Sequence, residues 1–282
     1  MTPVIISAPS QMLALVQQQK RDGKRVGLVP TMGALHAGHL SLVQQSTEET
    51  DFTVVTIFVN PTQFGPGEDL EKYPRNLEQD ALLLASYNVD AIFAPDVDTM
   101  YPAGSSTSVM PPQVASPFEG RLRPGHFEGV ATIVLKLFQL IPADVSFFGQ
   151  KDFQQTRVIG QMIEDLNIPV EMRICPIVRE KDGLAMSSRN AYLSGKERAQ
   201  AVALSRALFS IKKQVDEGEI NSVILLSTAN QILADALVDQ IDYVAIVDKH
   251  DLSPVDEVSC NTIAIAAIYI GGTRLIDNMF LS

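Results

Sequence analysis

Between an apolar stretch that reads as a strand and the opening of a helical pattern lies Pro30-Thr31-Met32-Gly33-Ala34-Leu35-His36-Ala37-Gly38-His39. A helix N-terminus carries unpaired N–H groups and a partial positive charge, so it attracts phosphate. Gly33 and Gly38 have no Cβ and let backbone or ligand come close. The chain has 4 histidines in all, and His36 and His39 both fall in this turn, where an imidazole can hydrogen-bond to a phosphoryl oxygen. The plainer alternative is a glycine-containing turn with two exposed histidines.

Three more segments carry chemistry-bearing side chains at strand ends or in polar loops. In Asn60-Pro61-Thr62-Gln63-Phe64, the Gln63 amide offers both a donor and an acceptor, which suits a ligand bearing hydroxyls and a carboxylate. Taken alone it is an ordinary loop glutamine. In the run Phe147 to Gln155, Gly149 permits a tight turn and Lys151 supplies a point charge for phosphate. Asp152 can accept from ribose hydroxyls or cap the following helix. In Leu184 to Asn190, the hydroxyls of Ser187 and Ser188 and the guanidinium of Arg189 can bind phosphate oxygens. The alternative there is a polar interdomain loop. Arg121, Arg123 and His126, in RLRPGHFEG, could add positive charge to a site, and Arg121 and Arg123 could equally make ion pairs with an acidic surface.

The elements that must hold these residues alternate. Arg25–Val29, Phe52–Val59, Ala91–Phe93, Val145–Phe148 and Met172–Ile174 read as strands, the first stopped by Pro30 and the second by Asn60-Pro61. Helical patterns open at His39 and cover Leu77–Tyr87, Val130–Leu140 and Phe153–Leu166. Such alternation predicts a parallel sheet with helices on both faces, in which ligands bind beyond the carboxyl ends of the strands. The informative residues follow Val29, Val59 and Phe148. After about Val178 the pattern changes to two helices, Lys196–Glu217 and Asn221–Leu237, then strands over Ile241–Val247, Thr262–Ile270 and Leu275–Met279 with a Gly271-Gly272 hairpin turn. The expected class is α/β: a Rossmann-like parallel-sheet domain over 1–177 and a smaller α+β domain over 178–282. Gly65-Pro66-Gly67-Glu68-Asp69 reads as a surface loop able to act as a flap.

Composition bounds the partners. The 282 residues, 46% of them hydrophobic, are enough for a sizeable core. The formal net charge of -11 repels nucleic-acid phosphates, so a nucleic-acid partner is not expected. Any phosphate site must therefore concentrate its positive charge locally. Cys175 and Cys260 lie in no CxxC or Cys/His cluster, which argues against zinc and redox motifs and for free thiols in a reducing compartment. The N-terminal stretch has no basic start followed by a long apolar core, and Val130–Pro142 is too short and polar to span a bilayer. A soluble, cytoplasmic protein with no membrane partner is expected.

The arrangement His36-Ala37-Gly38-His39 resembles the H-x-G-H signature of nucleotidyltransferases and class I aminoacyl-tRNA synthetases, and Met186-Ser187-Ser188-Arg189 resembles the phosphate loop that synthetases write as K-M-S-K-S. Five longer strings, PTMGALHAGH, NPTQF with EDLEKYPR, RLRPGHFEG, FFGQKDFQQ and MSSRNAYL, occur in the order of the pantothenate synthetase family, which the chain resembles from about Arg25 to Asn278. That family joins pantoate to β-alanine and cleaves ATP to AMP and pyrophosphate through a pantoyl adenylate.

The resemblance implies a role for each matching residue. His39 and His36, with Lys151 and Arg189, would be catalytic and serve the phosphates, His39 being the first choice for the acid role. Met32, Gly33, Gly149, Gln150, Asp152, Val178, Met186, Ser187 and Ser188 would complete the ATP site, and Gln63 and Gln155 would hold pantoate. Asp80 is the candidate magnesium ligand, although some relatives have adjacent carboxylates where this chain has Gln79-Asp80, and a solvated helix face is the alternative. ATP as substrate, Mg2+ and a homodimer are the associated expectations. Two rivals remain: another adenylate- or cytidylyl-forming transferase, which should lack the Gln63/Gln155 pair, and a nucleotide-binding module that releases no AMP.

Overall fold

The computed structural model describes residues 2–281. It resolves into two compact units: the chain up to Gly149 with Gln154–Pro176, and Gln150–Phe153 with the chain from Ile177 onward.

The first unit is built on six strands: β1 (Val4–Ile6), β2 (Val26–Thr31), β3 (Phe52–Ile57), β4 (Ala91–Phe93), β5 (Val145–Gly149) and β6 (Glu171–Cys175). All neighbours pair in parallel, in the order β1-β4-β3-β2-β5-β6. The helices are α1 (Pro9–Arg21), α2 (Ala37–Glu49), α3 (Leu77–Ala85), the short α4 (Val97–Met100) and α5 (Glu119–Leu122), α6 (His126–Leu140) and α7 (Phe153–Asp165). Strand residues on both faces are apolar because both faces are covered. Leu28, Val54 and Phe93 pack with Met12 and Val16 of α1 and Val130, Val134 and Leu137 of α6. Their neighbours Val29, Val55 and Ile92 turn the other way, onto Leu42 and Val43 of α2 and Leu84 of α3. Each such fully buried side chain contributes roughly 1.5–3 kcal/mol.

The strand order reverses at β2. Chain order runs outward through β3 and β4 on one side, and β5 returns to the other side. The carboxyl ends of β2 and β5 therefore flank the switch point, where ligands bind in sheets of this kind.

Pro30 does not stop β2, which continues through it to Thr31 with Pro30 opposite Thr56. Pairing of β2 with β5 covers only Gly27 and Leu28, so beyond Leu28 one edge of β2 is open and a residue without an N–H is tolerated. β1 and α1 precede every element the periodicity marked. Met12 and Val16 are the only fully buried residues of α1, which leaves a weak pattern among glutamines.

In the second unit, α8 (Gly195–Asp216) and α9 (Ser222–Asp235) pack with β7 (Gln240–Asp248), β8 (Thr262–Ile270) and β9 (Thr273–Phe280), an antiparallel sheet in the order β7-β8-β9. Leu204, Leu208, Leu225, Ile246, Ala264 and Ile268 form part of its core. Ser194 and Glu197 form a reciprocal capping box that starts α8. Gly271 and Gly272, both left-handed (φ 56 and 76), make the hairpin turn that the sequence pattern predicts. No helix among the described residues is long and apolar enough to cross a membrane.

Candidate active site

The turn after β2 is fixed at both ends. Upstream, Gly27 lets α2 lie close on the sheet: a Cβ there would stand 2.3 Å from Ser46 Oγ. Downstream, His36 is the N-cap of α2. Its Nδ1 accepts the Gly38 N–H at 3.1 Å, while Nδ1 of His39 accepts the His36 N–H at 3.4 Å. This is a capping box made of two imidazoles, with ring centroids 4.1 Å apart. A ring whose Nδ1 accepts carries its proton on Nε2, so Nε2–H is the donor each histidine can offer a phosphoryl oxygen. The sequence places the two histidines at a helix start, and the structure makes each hold the other.

Gly33 (φ 82) and Ala34 (φ 51) are both left-handed. The Ala34 and Leu35 N–H groups donate to the Asp80 carboxylate at 3.0 and 2.9 Å. Asp80 lies in the first turn of α3 and is only 3% exposed. Burial lifts its carboxyl above the usual range, and the two backbone donors hold it back. Neither the magnesium reading nor the solvated-face alternative fits this environment. Both oxygens are engaged by backbone N–H donors, so a metal ion would compete with those donors for the same carboxylate.

Gln63 lies in a single 3-10 turn, Pro61–Gln63, after β3. Its Oε1 accepts from Asn60 Nδ2 at 3.1 Å and its Nε2 donates to Met32 Sδ at 3.1 Å, which joins two of the residues singled out from sequence. Asn60 is 1% exposed, and its side chain also donates to Gly129 O and accepts from Tyr101 and Thr62. α6 approaches the same turn so closely that a Cβ on Gly129 would stand 2.5 Å from Thr62 O. The orienting role of Asn60 is not legible in NPTQF, where it reads only as a strand terminator.

Arg123 and His126 have structural partners. Arg123 forms a two-pronged pair with Glu68 at 2.7 and 2.7 Å and donates to His126 Nε2 at 3.0 Å. Burial alone would raise the Glu68 carboxyl, but its bond to Arg123 holds it below the usual range. The loop at Gly65–Asp69 is thus pinned at Glu68. Arg121 is exposed. Gln155, on α7, is half-buried, and its neighbour Gln154 is committed to Val114 O, Pro117 O and Glu119 N.

In the second unit, the Gln150–Asp152 turn is stitched to β9 by Asn278. The Asn278 amide donates to Gln150 O and Lys151 O at 2.9 and 3.0 Å, and its Oδ1 accepts from Gln150 Nε2 at 3.0 Å. Lys151 Nζ lies 3.6 Å from the half-exposed Asp152. Val178 O accepts the Met186 N–H at 3.0 Å, closing the base of the loop that displays Ser187, Ser188 and Arg189. Asn190 ties that loop to Glu180, and Glu180 pairs with Arg198. Ser187 caps the short turn after it by accepting the Arg189 N–H. Arg274 pairs with Asp242 at 2.8 Å, a structural contact.

Comparison with known proteins bears on the whole chain. The pantoate-beta-alanine ligase family matches residues 4–280. A pantothenate synthetase of Koribacter versatilis is 48% identical over 277 residues, covering 98% of this chain and 95% of that protein. The crystal structure of pantothenate synthetase from Thermus thermophilus superposes with a TM-score of 0.94 at 42% identity, covering 99% of each chain. A structure of the pantoate–β-alanine ligase of Francisella tularensis, complexed with β-γ ATP and β-alanine, gives a TM-score of 0.83 at 34% identity, covering 99% of this chain and 98% of that one. The resemblance carried by the five sequence strings thus holds from end to end, and the chain belongs to the pantoate–β-alanine ligase family, the pantothenate synthetases.

Proposed function

We propose that the protein makes pantothenate in two steps. The pantoate carboxylate attacks the α-phosphorus of ATP, giving pantoyl adenylate and pyrophosphate; the β-alanine amine then attacks the acyl carbon and releases AMP. A free carboxylate is a poor acyl donor because oxide would have to leave, and adenylation provides a better leaving group. Positioning and charge stabilisation dominate the first step.

The observation that supports this reading is the paired-imidazole cap of α2, a helix N-terminus at the strand-order switch, where phosphate is attracted in folds of this kind. His36, His39, Lys151 and Arg189 serve the phosphates. Met32, Gly33, Gly149, Gln150, Asp152, Val178, Met186, Ser187 and Ser188 complete the ATP contacts, and Gln63 and Gln155 hold pantoate. The assignment of the second set to ATP rests on family resemblance. Residues 1–177 carry the pantoate contacts and 178–282 the MSSR loop. Mg2+ accompanies ATP as its counter-ion, with no step assigned to Asp80. A cytoplasmic homodimer completes the reading, again by resemblance.

The decisive experiment is exchange of labelled pyrophosphate into ATP. Exchange that needs pantoate but not β-alanine is expected. Exchange that strictly requires β-alanine would sink the two-step account.

A further inference from the structure

Asp80 is a buried carboxylate whose two oxygens face backbone donors, and the metal reading does not fit. Its surroundings give it another task. Gly33 and Ala34 are consecutive left-handed residues, and an alanine enters that region only against a steric penalty. A conformation of this kind persists where the surroundings over-determine it. The turn presents two successive N–H groups, Ala34 and Leu35, to one side, and the two oxygens of Asp80 accept one each. The fit is close: a Cβ on Gly33 would stand 2.9 Å from Asp80 Oδ2. Each donor meets its own oxygen, and an amide would offer only one acceptor atom and turn an NH₂ toward the other N–H. The next residue along the chain is His36, whose ring begins the cap that also fixes His39.

We propose that Asp80 is the positioning residue of the H-x-G-H turn: by accepting from the Ala34 and Leu35 N–H groups it holds Gly33 and Ala34 in the left-handed conformation that delivers His36 to the start of α2, and it acts through that backbone rather than on a metal ion or a substrate. The two amide dipoles and its place in the first turn of α3 favour its negative charge and oppose, without cancelling, the cost of burial. This explains how a carboxylate is tolerated beside a phosphate-binding turn.

The proposal rests on the reading of His36 and His39 as the phosphate-facing pair, so the test pairs Asp80→Asn with His39→Ala. For Asp80→Asn, single-turnover adenylation should fall about 10²-fold, the scale of a small misplacement of catalytic groups. Pantoate affinity and the Mg2+ concentration giving half-maximal rate should stay at wild-type values. The amide proton resonances of Ala34 and Leu35 should move upfield as their charged acceptor is lost. A raised Mg2+ requirement, with activity restored by excess Mg2+, would make Asp80 a metal ligand and overturn the proposal. A lower Tm with normal adenylation would reduce it to a structural residue. Loss in His39→Ala alone defeats the positioning role while sparing the site reading; normal adenylation in both defeats the site reading itself. If Asp80→Asn does not fold, Gly33→Ala displaces the same turn while keeping the carboxylate. It should show the same rate loss at an unchanged Mg2+ requirement, and a normal rate there overturns the proposal.

Discussion

His126 donates its Nδ1–H to the backbone carbonyl of Gln63 at 2.8 Å, while its Nε2 accepts from Arg123 at 3.0 Å. Because a guanidinium can only donate, this pattern fixes the neutral tautomer. Burial, and then the charge of Arg123, push the imidazole down to about 4 from its ordinary 6.5. The folded pKa is depressed below the unfolded one, so the neutral ring's contribution to stability is fully present above about pH 6.5. It is lost as pH falls from 6.5 toward 4, where the unfolded chain binds a proton that the folded one does not. Denaturant unfolding measured across this window should lose stability more steeply for wild type than for His126→Gln. Equal slopes would show that the ring is not held neutral.

Pantoate affinity should depend on Gln63, Gln155 and Asn60. Gln63→Ala and Gln155→Ala should each weaken pantoate binding by roughly 1–3 kcal/mol and barely change ATP binding. Asn60→Ala should weaken pantoate binding as well, because the Asn60 amide fixes which end of the Gln63 amide faces Met32. Titration calorimetry with each ligand separates the cases, and equal losses for ATP and pantoate would reassign these residues.

Substitution can separate the capping role of His39 from its proposed role in catalysis. His39→Ala should cost about 10²–10⁴-fold in single-turnover adenylation, since an imidazole donor is worth most as charge shifts toward the leaving pyrophosphate. It should also cost about 1 kcal/mol of stability by removing half of the capping box. Glutamine at this position of a helix can accept the same N–H. His39→Gln should therefore regain the Tm without regaining the rate, whereas a variant that regains both would show that His39 only caps the helix.

Asn278→Ala leaves the Gln150 and Lys151 carbonyls without their side-chain donor. A stability loss of about 1–3 kcal/mol is expected from unfolding curves. ATP affinity should fall with it and pantoate affinity should not. Unchanged ATP binding in the folded variant would separate Lys151 from the nucleotide.

The alternating strands and helices, the switch to an antiparallel second unit and the hairpin at Gly271-Gly272 are readable in the chain because hydrophobic period and turn chemistry are local properties. Pro30 misled for a similar reason. A missing N–H argues for a strand end until the neighbouring strand is known to have stopped pairing. β1 is three residues long and half exposed, and α1 buries few side chains, so neither leaves a strong periodic trace.

The motifs likewise point, by residue type, to where phosphate and a hydroxyl-bearing acid are proposed to bind. They could not say how those residues are held. Asp80 reads as a metal ligand or a solvated helix residue from its position on α3, and only the fold brings it to the left-handed turn at Gly33 and Ala34. The ion-pair alternative for Arg123 is the one the structure realises, but its partner Glu68 and the bond of His126 to the Gln63 carbonyl become visible only when the loop and turn carrying them are packed together. Asn60 and Asn278 have no distinguishing neighbours in the chain, yet both are nearly fully buried and orient functional turns. By itself the sequence determined the class of fold, the family and the chemistry available. The tertiary structure decided which polar groups are consumed in holding the site, because a buried donor or acceptor must be satisfied by whatever the fold brings within about 3 Å, at any distance along the chain.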